Sequence, residues 1–281
     1  MDYIRPNSIE EAVQILSDPG RRGKLLAGGT DLLVQKRVDP PDYDCFVDIS
    51  RLSEIQQIRV SDGVFYLGAG VTHAVIAQDP LILKYVSFLA QACLSVGSPQ
   101  IRNTGTLGGN VANAAACADS LPALVCLDAV AHLRSKRGER QMLVTELVKG
   151  PHETALETDE LITHFTFLQP PPGVKTHFIK IGRRNAQSIS RLSIAAMGRK
   201  DKNGNVDFIR ICPGAATPRT MRFTEVETYL MGKQACEELY VDAGQRMAAR
   251  MVEITGVRWS TEYKEVALKA ITERVLREVL G

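Results

Sequence analysis

The sequence contains six cysteines, Cys45, Cys93, Cys117, Cys126, Cys212 and Cys236, yet no C-x-x-C or C-x-x-x-C pair. Zinc and iron–sulfur sites gather their thiolates through such short spacings, so the chain offers neither a ligand set. The cysteines are expected to be mostly buried thiols in a reducing compartment. An excess of charge of one sign is also lacking: 34 Lys+Arg against 32 Asp+Glu leave a net +2, too little for the cation clusters that neutralise nucleic-acid phosphates. No apolar run approaches the length of a membrane span, and Asp2, Arg5, Glu10 and Glu11 stand where a secretory signal would place its apolar segment. A cytoplasmic chain is expected, with neither nucleic acid nor membrane as partner.

The common catalytic and nucleotide signatures are missing as well. Gly23-Lys24 is followed by Leu25 rather than Ser or Thr, and Gly68-Ala69-Gly70 lacks the third glycine of a Rossmann fingerprint. There is no G-x-S-x-G and no H-E-x-x-H, and His73, His132, His152, His164 and His177 form no ligand-spaced group. Each histidine reads as an ordinary polar or partly buried residue. What remains is a chain of 281 residues, 44% hydrophobic and 23% charged, which is enough for two globular domains.

Periodicity divides the chain. Ser8 with Glu11 reads as a capping box for a helix that ends at Pro19-Gly20. Lys24–Ala27 reads as a strand, followed by a glycine turn and a helix start at Thr30–Val34. Phe46–Ile49 reads as a strand, Ile58–Leu67 as a hairpin around Asp62-Gly63, and Leu81 to Gly97 as one apolar helix. Ser98 to Asp119 is glycine-, asparagine- and alanine-rich without clean periodicity. Ser120–Leu127 reads as a short helix, and Val130–Val144 as a hairpin whose tip, with Arg134, Lys136, Arg137 and Arg140, reads as a solvated turn. Gln169-Pro170-Pro171-Pro172-Gly173 is the best domain boundary. Beyond it lie three strands near His177–Ile181, Ser193–Arg199 and Asp207–Ile211, then two helices with four-residue repeats, Leu239 to Met251 and Ala267 to Val279. A sheet covered by helices follows, an α+β arrangement.

Two glycine motifs carry the chemistry. Leu26-Ala27-Gly28-Gly29-Thr30-Asp31 sits at a strand-to-helix junction. Glycine there lets the backbone come close to a ligand, while amide N–H groups and the Thr30 hydroxyl can donate to phosphate oxygens. A helix cap with a tight turn would use the same residues. Gln100-Ile101-Arg102-Asn103-Thr104-Gly105-Thr106-Leu107-Gly108-Gly109-Asn110, followed by Asp119, offers many donors, little bulk and a carboxylate that could accept from ribose or ribityl hydroxyls. A purely structural glycine loop is the alternative.

The pairing of A-G-G-T-D with Q-I-R-N-x-G-T-L-G-G-N and A-D-S resembles the FAD-binding medium subunits of the molybdenum hydroxylases. That family includes xanthine dehydrogenase, carbon monoxide dehydrogenase and 4-hydroxybenzoyl-CoA reductase. The likeness spans the chain, down to Arg258-Trp259-Ser260-Thr261-Glu262-Tyr263-Lys264 before the last helix. It implies an α+β fold: a two-subdomain FAD-binding domain of the vanillyl-alcohol-oxidase or PCMH type over residues 1–170, with subdomains of about 1–57 and 58–170. A smaller α+β domain of the CO dehydrogenase flavoprotein type, a short antiparallel sheet with helices, would occupy 174–281. The resemblance further implies that Leu25, Leu26, Ala27, Gly28, Gly29, Thr30, Asp31 and Leu32, with Thr106, Leu107, Gly108, Gly109 and Asn110, wrap the FAD pyrophosphate. Asp119 would contact the cofactor, Ile162 would make an apolar contact, and Lys180 would lie near the isoalloxazine edge.

By the same resemblance this chain performs no substrate chemistry. A large partner subunit would hold a molybdenum–pterin cofactor and a small one the [2Fe–2S] clusters, with FAD here passing electrons to NAD⁺; ferredoxin, a quinone or oxygen are alternative acceptors. The absence of an added cysteine-rich insertion argues against the benzoyl-CoA reductase branch, and the motif and length look most like xanthine or N-heterocycle dehydrogenases. One departure stands out: Arg184 is present, but Ser188 replaces the acidic residue common in relatives, which bears on acceptor choice. Two other readings are a stand-alone flavin-dependent oxidase or dehydrogenase and a non-catalytic dinucleotide-binding module. The first would need an acid/base group over the flavin, and the segment after the prolines shows no His/Tyr/Glu constellation.

Overall fold

The computed structural model describes residues 2–35 and 42–281. Strand β1 (Asp2–Ile4) opens the chain, and helix α1 (Ile9–Leu16) follows, capped by Ser8, whose Oγ accepts from the Glu11 amide at 3.1 Å. The Glu11 carboxylate does not close the reciprocal bond of a capping box; it accepts from the Asn7 amide at 2.7 Å, one residue further out. Strands β2 (Gly23–Leu26) and β3 (Cys45–Asp48) complete a parallel sheet in the order β1-β3-β2. The three-residue β1 was not visible in the sequence, because a strand that short has no measurable alternation. It is held by register with β3 and by Asp48, which accepts from Arg5 Nε at 3.0 Å and from the Tyr3 hydroxyl.

The second layer begins with β4 (Ile58–Ser61) and β5 (Val64–Gly68), the hairpin expected around Asp62-Gly63. Helices α3 (His73–Gln78), α4 (Pro80–Tyr85), α5 (Ser87–Leu94), α6 (Pro99–Thr104), α7 (Leu107–Asn113) and α8 (Ser120–Cys126) follow. The single helix expected from Leu81 to Gly97 is two, broken at Val86, whose φ of −141° leaves the helical region. The aperiodic stretch after Ser98 is helical as far as Asn113 apart from Gly105 and Thr106. Ser98 and Thr106 each cap a turn-and-a-half helix too short to display a 3.6-residue period.

Strands β6 (Val130–Ser135) and β7 (Gly138–Leu143) form the expected hairpin, followed by α9 (Val144–Leu147), β8 (Val148–Gly150) and β9 (Glu153–Thr154). Strand β10 (Leu161–Leu168) then returns through the middle of an antiparallel sheet ordered β4-β5-β10-β6-β7. Alternation sends Leu161 into the core of the first layer and Ile162 into that of the second, and between Ile162 and His164 the register against β6 shifts by one residue, so Ile162 and Phe165, three apart, share the second core. The hairpin tip is not a plain solvated turn. Arg137 bonds both oxygens of Asp159 at 2.7 and 3.0 Å, and Arg140 grips Glu160, itself buried, at 2.6 Å through two nitrogens.

After the prolines come β11 (Lys175–Gly182), β12 (Ser190–Lys200) and β13 (Val206–Gly214) as one antiparallel sheet, then α10 (Thr224–Leu230), α11 (Glu237–Thr255) and α12 (Thr261–Leu280). Alternation along β12 serves two cores. Ala195 and Met197 pack against the preceding domain, while Leu192, Ile194 and Ala196 face the core under the helices, where Leu239, Ala243, Met247, Met251, Ile271, Val275 and Val279 lie. The two halves therefore share buried surface across the sheet. No helix of the described residues is long and apolar enough to cross a membrane.

Glu227 on α10 is buried and accepts from the Ile211 amide at 2.9 Å and from Arg222 through two bonds of 2.9 and 2.6 Å. Glu227→Ala would strand the Ile211 amide and leave Arg222 only its bonds to Asp128, so a loss of about 2–4 kcal/mol is expected, read from urea unfolding. Glu253→Ala, on an exposed ion pair, is expected to stay within about 0.5 kcal/mol of the parent; equal effects would contradict the assignment.

Candidate functional site

The first glycine motif follows directly from β2. The strand ends at Leu26, Gly29 takes a φ of +68°, and a short helix, α2 (Leu32–Gln35), begins. The amide N–H groups of Gly28, Gly29, Thr30, Asp31 and Leu32 find no acceptor among the described residues. Five successive free donors in a curved backbone segment form a concave site for anionic oxygens.

The second motif is built differently from its sequence expectation. Its amides are mostly spent inside the fold: Leu107 donates to Val71 O at 3.0 Å, Gly108 to Ala69 O at 2.8 Å, Asn110 to Thr106 O at 3.0 Å and Gly109 to Thr106 Oγ1 at 3.1 Å. What it presents is shape and side-chain donors. Thr106 Oγ1 accepts from Gly109 and so keeps its own proton free, and Asn110 Oδ1 accepts from Ser120 Oγ at 2.6 Å, leaving the Asn110 amide nitrogen available.

The two motifs touch through backbone alone. A β-carbon on Gly28 would stand 2.0 Å from the Thr104 carbonyl oxygen, and one on Gly108 would stand 2.7 Å from the Ala69 β-carbon and 2.8 Å from its oxygen. Any side chain at either position would push the layers apart. Between them lies a cleft of about 410 Å³ whose walls include Gly28, Gly29, Thr30, Gly109, Asn110 and Ile162. Leu25, Ala27, Asp31, Leu32, Thr106 and Gly108 also reach it, whereas Leu26, Leu107, Asp119 and Lys180 do not. Among the described residues, Lys24 is the one cationic side chain on its wall.

Sequence reasoning missed two parts of this wall. Thr154, Leu156, Glu157, Thr158 and Glu160 form a lip opposite the glycines, held by the Arg137 and Arg140 ion pairs. The charged hairpin tip was the available signal, since its cations need partners. His73 is the second, at the first turn of α3 beside Gly105. It is buried, and burial together with the nearby Arg102 charge lowers its pKa to about 4. No group of three or more His, Cys, Asp or Glu able to hold a metal ion occurs among the described residues.

Asp119 and Lys180 meet instead behind the cleft. Lys180 Nζ lies 2.6 Å from Asp119 Oδ2 and donates to Ser95 O at 2.9 Å, joining β11 to the residue before α8. Asp119 Oδ1 is buried with no partner among the described residues. Burial pushes the Asp119 carboxyl up to about 6 against the pull of the Lys180 ammonium. Lys180 faces a second cavity of about 530 Å³, lined also by Arg102, Arg184 and Ser188 and, among the described residues, by no carboxylate. Ser188 Oγ accepts from the Arg183 amide at 2.9 Å, a local bond that shapes the loop.

Residues 1–167 match the family model for the FAD binding domain in molybdopterin dehydrogenase, and residues 177–279 match that of the CO dehydrogenase flavoprotein C-terminal domain. The chain is 32% identical over 285 residues to the xanthine dehydrogenase FAD-binding subunit of Escherichia coli O157:H7, covering 99% of this chain and 96% of that one. It is 29% identical over 285 residues to the nicotinate dehydrogenase FAD-subunit of Eubacterium barkeri, with the same coverage. Among solved structures, carbon monoxide dehydrogenase from Hydrogenophaga pseudoflava superposes with a TM-score of 0.91 at 25% identity, covering 99% of this chain and 96% of that one. Quinoline 2-oxidoreductase from Pseudomonas putida 86 superposes with a TM-score of 0.90 at 27% identity, covering 100% and 96%.

Two outcomes follow from the geometry. Gly28→Ala is expected to destabilise the fold by about 1–3 kcal/mol, measured by thermal unfolding, while Gly150→Ala, whose β-carbon would meet nothing nearer than 3.5 Å, stays within about 0.5 kcal/mol. Asp119, at about 6 when folded and about 3.9 when unfolded, holds a proton in the native state that the unfolded chain has released. Its contribution to stability is full below pH 4 and lost as the pH rises through 6. Asp119→Asn should remove that part of the pH dependence in urea unfolding between pH 4 and 7; an unchanged profile would contradict it.

Proposed function

The chain belongs to the FAD-binding subunits of the molybdenum hydroxylase-type dehydrogenases, and from that membership we propose that it carries electrons from [2Fe–2S] clusters of a small partner subunit to NAD⁺. In this reading a large partner subunit holds the molybdenum–pterin cofactor and turns over the substrate, in the manner of xanthine or N-heterocycle dehydrogenases. The observation that carries the proposal is the run of five amides from Gly28 to Leu32, without an acceptor among the described residues, on the wall of the cleft.

The residues present fit FAD. A diphosphate needs hydrogen-bond donors at close range, and only backbone without β-carbons allows that approach from both walls. Gly28 and Gly108, where a β-carbon would collide with Thr104 or Ala69, let the two walls close to the spacing of this cleft. Bound FAD supplies the ability to take electrons singly and release them in pairs. The chain's own part is to bind and orient. Amides 28–32 and the Thr30 and Thr106 hydroxyls would hold the diphosphate, and Ile162 would give an apolar contact.

Lys180, fixed by Asp119 and Ser95, would place a positive charge beside the second cavity. With Arg102 and Arg184 on the same walls and no carboxylate facing them among the described residues, that cavity suits an anionic acceptor, which supports NAD⁺ over a neutral quinone. Ser188, where relatives often carry an acid, removes a repulsive charge from that approach. These assignments for Asp119, Ile162 and Lys180 are part of the proposal.

The protein is expected to be yellow and to release FAD, not FMN, on denaturation, identified by chromatography. Gly109→Asp would set a carboxylate on the cleft wall against the diphosphate and abolish FAD retention while leaving the circular dichroism spectrum unchanged. Undiminished FAD affinity in that variant would remove the second motif from the site.

A further inference from the structure

His73 is the one histidine on the wall of the cleft, and its surroundings fix its chemistry. Its Nδ1 lies 3.5 Å from Cys93 Sγ. Cys93 is wholly buried, and burial pushes its thiol far above the ordinary range, so the sulfur keeps a proton that it can donate to Nδ1. A neutral imidazole that accepts at Nδ1 carries its own proton on Nε2.

The opposite edge of the ring lies where the two glycine motifs meet. A β-carbon on Gly105 would stand 3.4 Å from His73 Cδ2 and 3.5 Å from Thr30 Oγ1, so the imidazole edge and the Thr30 hydroxyl converge on the bare face of that glycine. Nε2 neighbours Cδ2 in the ring and has no hydrogen-bond partner among the described residues. The backbone that carries the ring is fixed, because the His73 amide is tied to Gly105 O at 3.0 Å and Thr72 pairs with Thr106, and the side chain itself is buried. A donor is thus held beside the free amides of residues 28–32 without adding charge, as the buried position requires.

We propose that His73 is a positioning and binding residue for the cofactor, donating from Nε2–H to a diphosphate oxygen of FAD, with Cys93 setting the tautomer. This rests on the FAD reading above. It adds a side-chain donor to a site otherwise made of backbone, and it gives the buried His73–Cys93 pair a function that packing alone does not need.

The test uses the full chain, with FAD affinity followed by quenching of flavin fluorescence. Losing one hydrogen bond to a charged oxygen corresponds to about a 10- to 100-fold weakening, expected for His73→Phe. His73→Gln, which keeps an N–H donor of similar reach, is expected to recover most of that loss. A second measurement does not depend on substitution: in the parent protein labelled with ¹⁵N-histidine, one Nε2–H resonance, absent from His73→Phe, should move downfield when FAD is added. Tight FAD binding by the parent with equal binding by a folded His73→Phe would overturn the inference and leave the FAD reading intact, as would an unmoved Nε2–H signal. Failure of the parent to take up FAD at all would overturn both.

Discussion

The close approach of two stretches of bare backbone, Gly28 against the Thr104 carbonyl, sets the terms for the rest of the molecule. At 2.0 Å from a hypothetical β-carbon to that oxygen, the contact tolerates no side chain, so the parallel sheet of the first layer and the helices of the second meet at one fixed distance. That distance defines the cleft. It leaves room for a ligand along the rim, where amides 28–32 point into space they do not fill themselves.

The remaining packing protects this spacing. Alternation along β10 sends Leu161 into one core and Ile162 into the next, so a single strand binds the two layers together. Strand β12 does the same between the FAD-binding half and the helices of the C-terminal half. Lys180 and Asp119 add a buried ion pair across that second boundary. Its strength as a stabilising element is small, since desolvation offsets most of the attraction. Its value is positional: it holds one ammonium group at a set place between two cavities, and the unpaired Oδ1 of Asp119 marks how tightly that place is enclosed.

Much of this was readable from sequence where a local rule applied. The Gly28-Gly29 turn, the Asp62-Gly63 hairpin, the three strands after the prolines and the two long C-terminal helices follow from spacing and turn chemistry, because each satisfies its own pattern within a few residues. The first motif was legible as a glycine turn rich in donors, and in the structure its amides 28–32 find no acceptor among the described residues. The second was legible as glycine-rich but not as helical. Its amides turn inward to Val71 and Ala69, which lie more than thirty residues earlier in the chain, and no local pattern encodes such a bond. The same limit hid β1, the Glu157–Glu160 lip and His73. A histidine one residue after a helix cap looks ordinary until Cys93 and Gly105, both distant in sequence, are brought against it.

The central claim is that the backbone from Gly28 to Leu32 is the anion-holding element of the cleft. Amide ¹H–¹⁵N resonances of these five residues, followed during titration of the apoprotein with FAD, test it most directly. The account predicts that they shift together and become protected from hydrogen exchange on binding. Uptake of FAD with these five signals unmoved would contradict it.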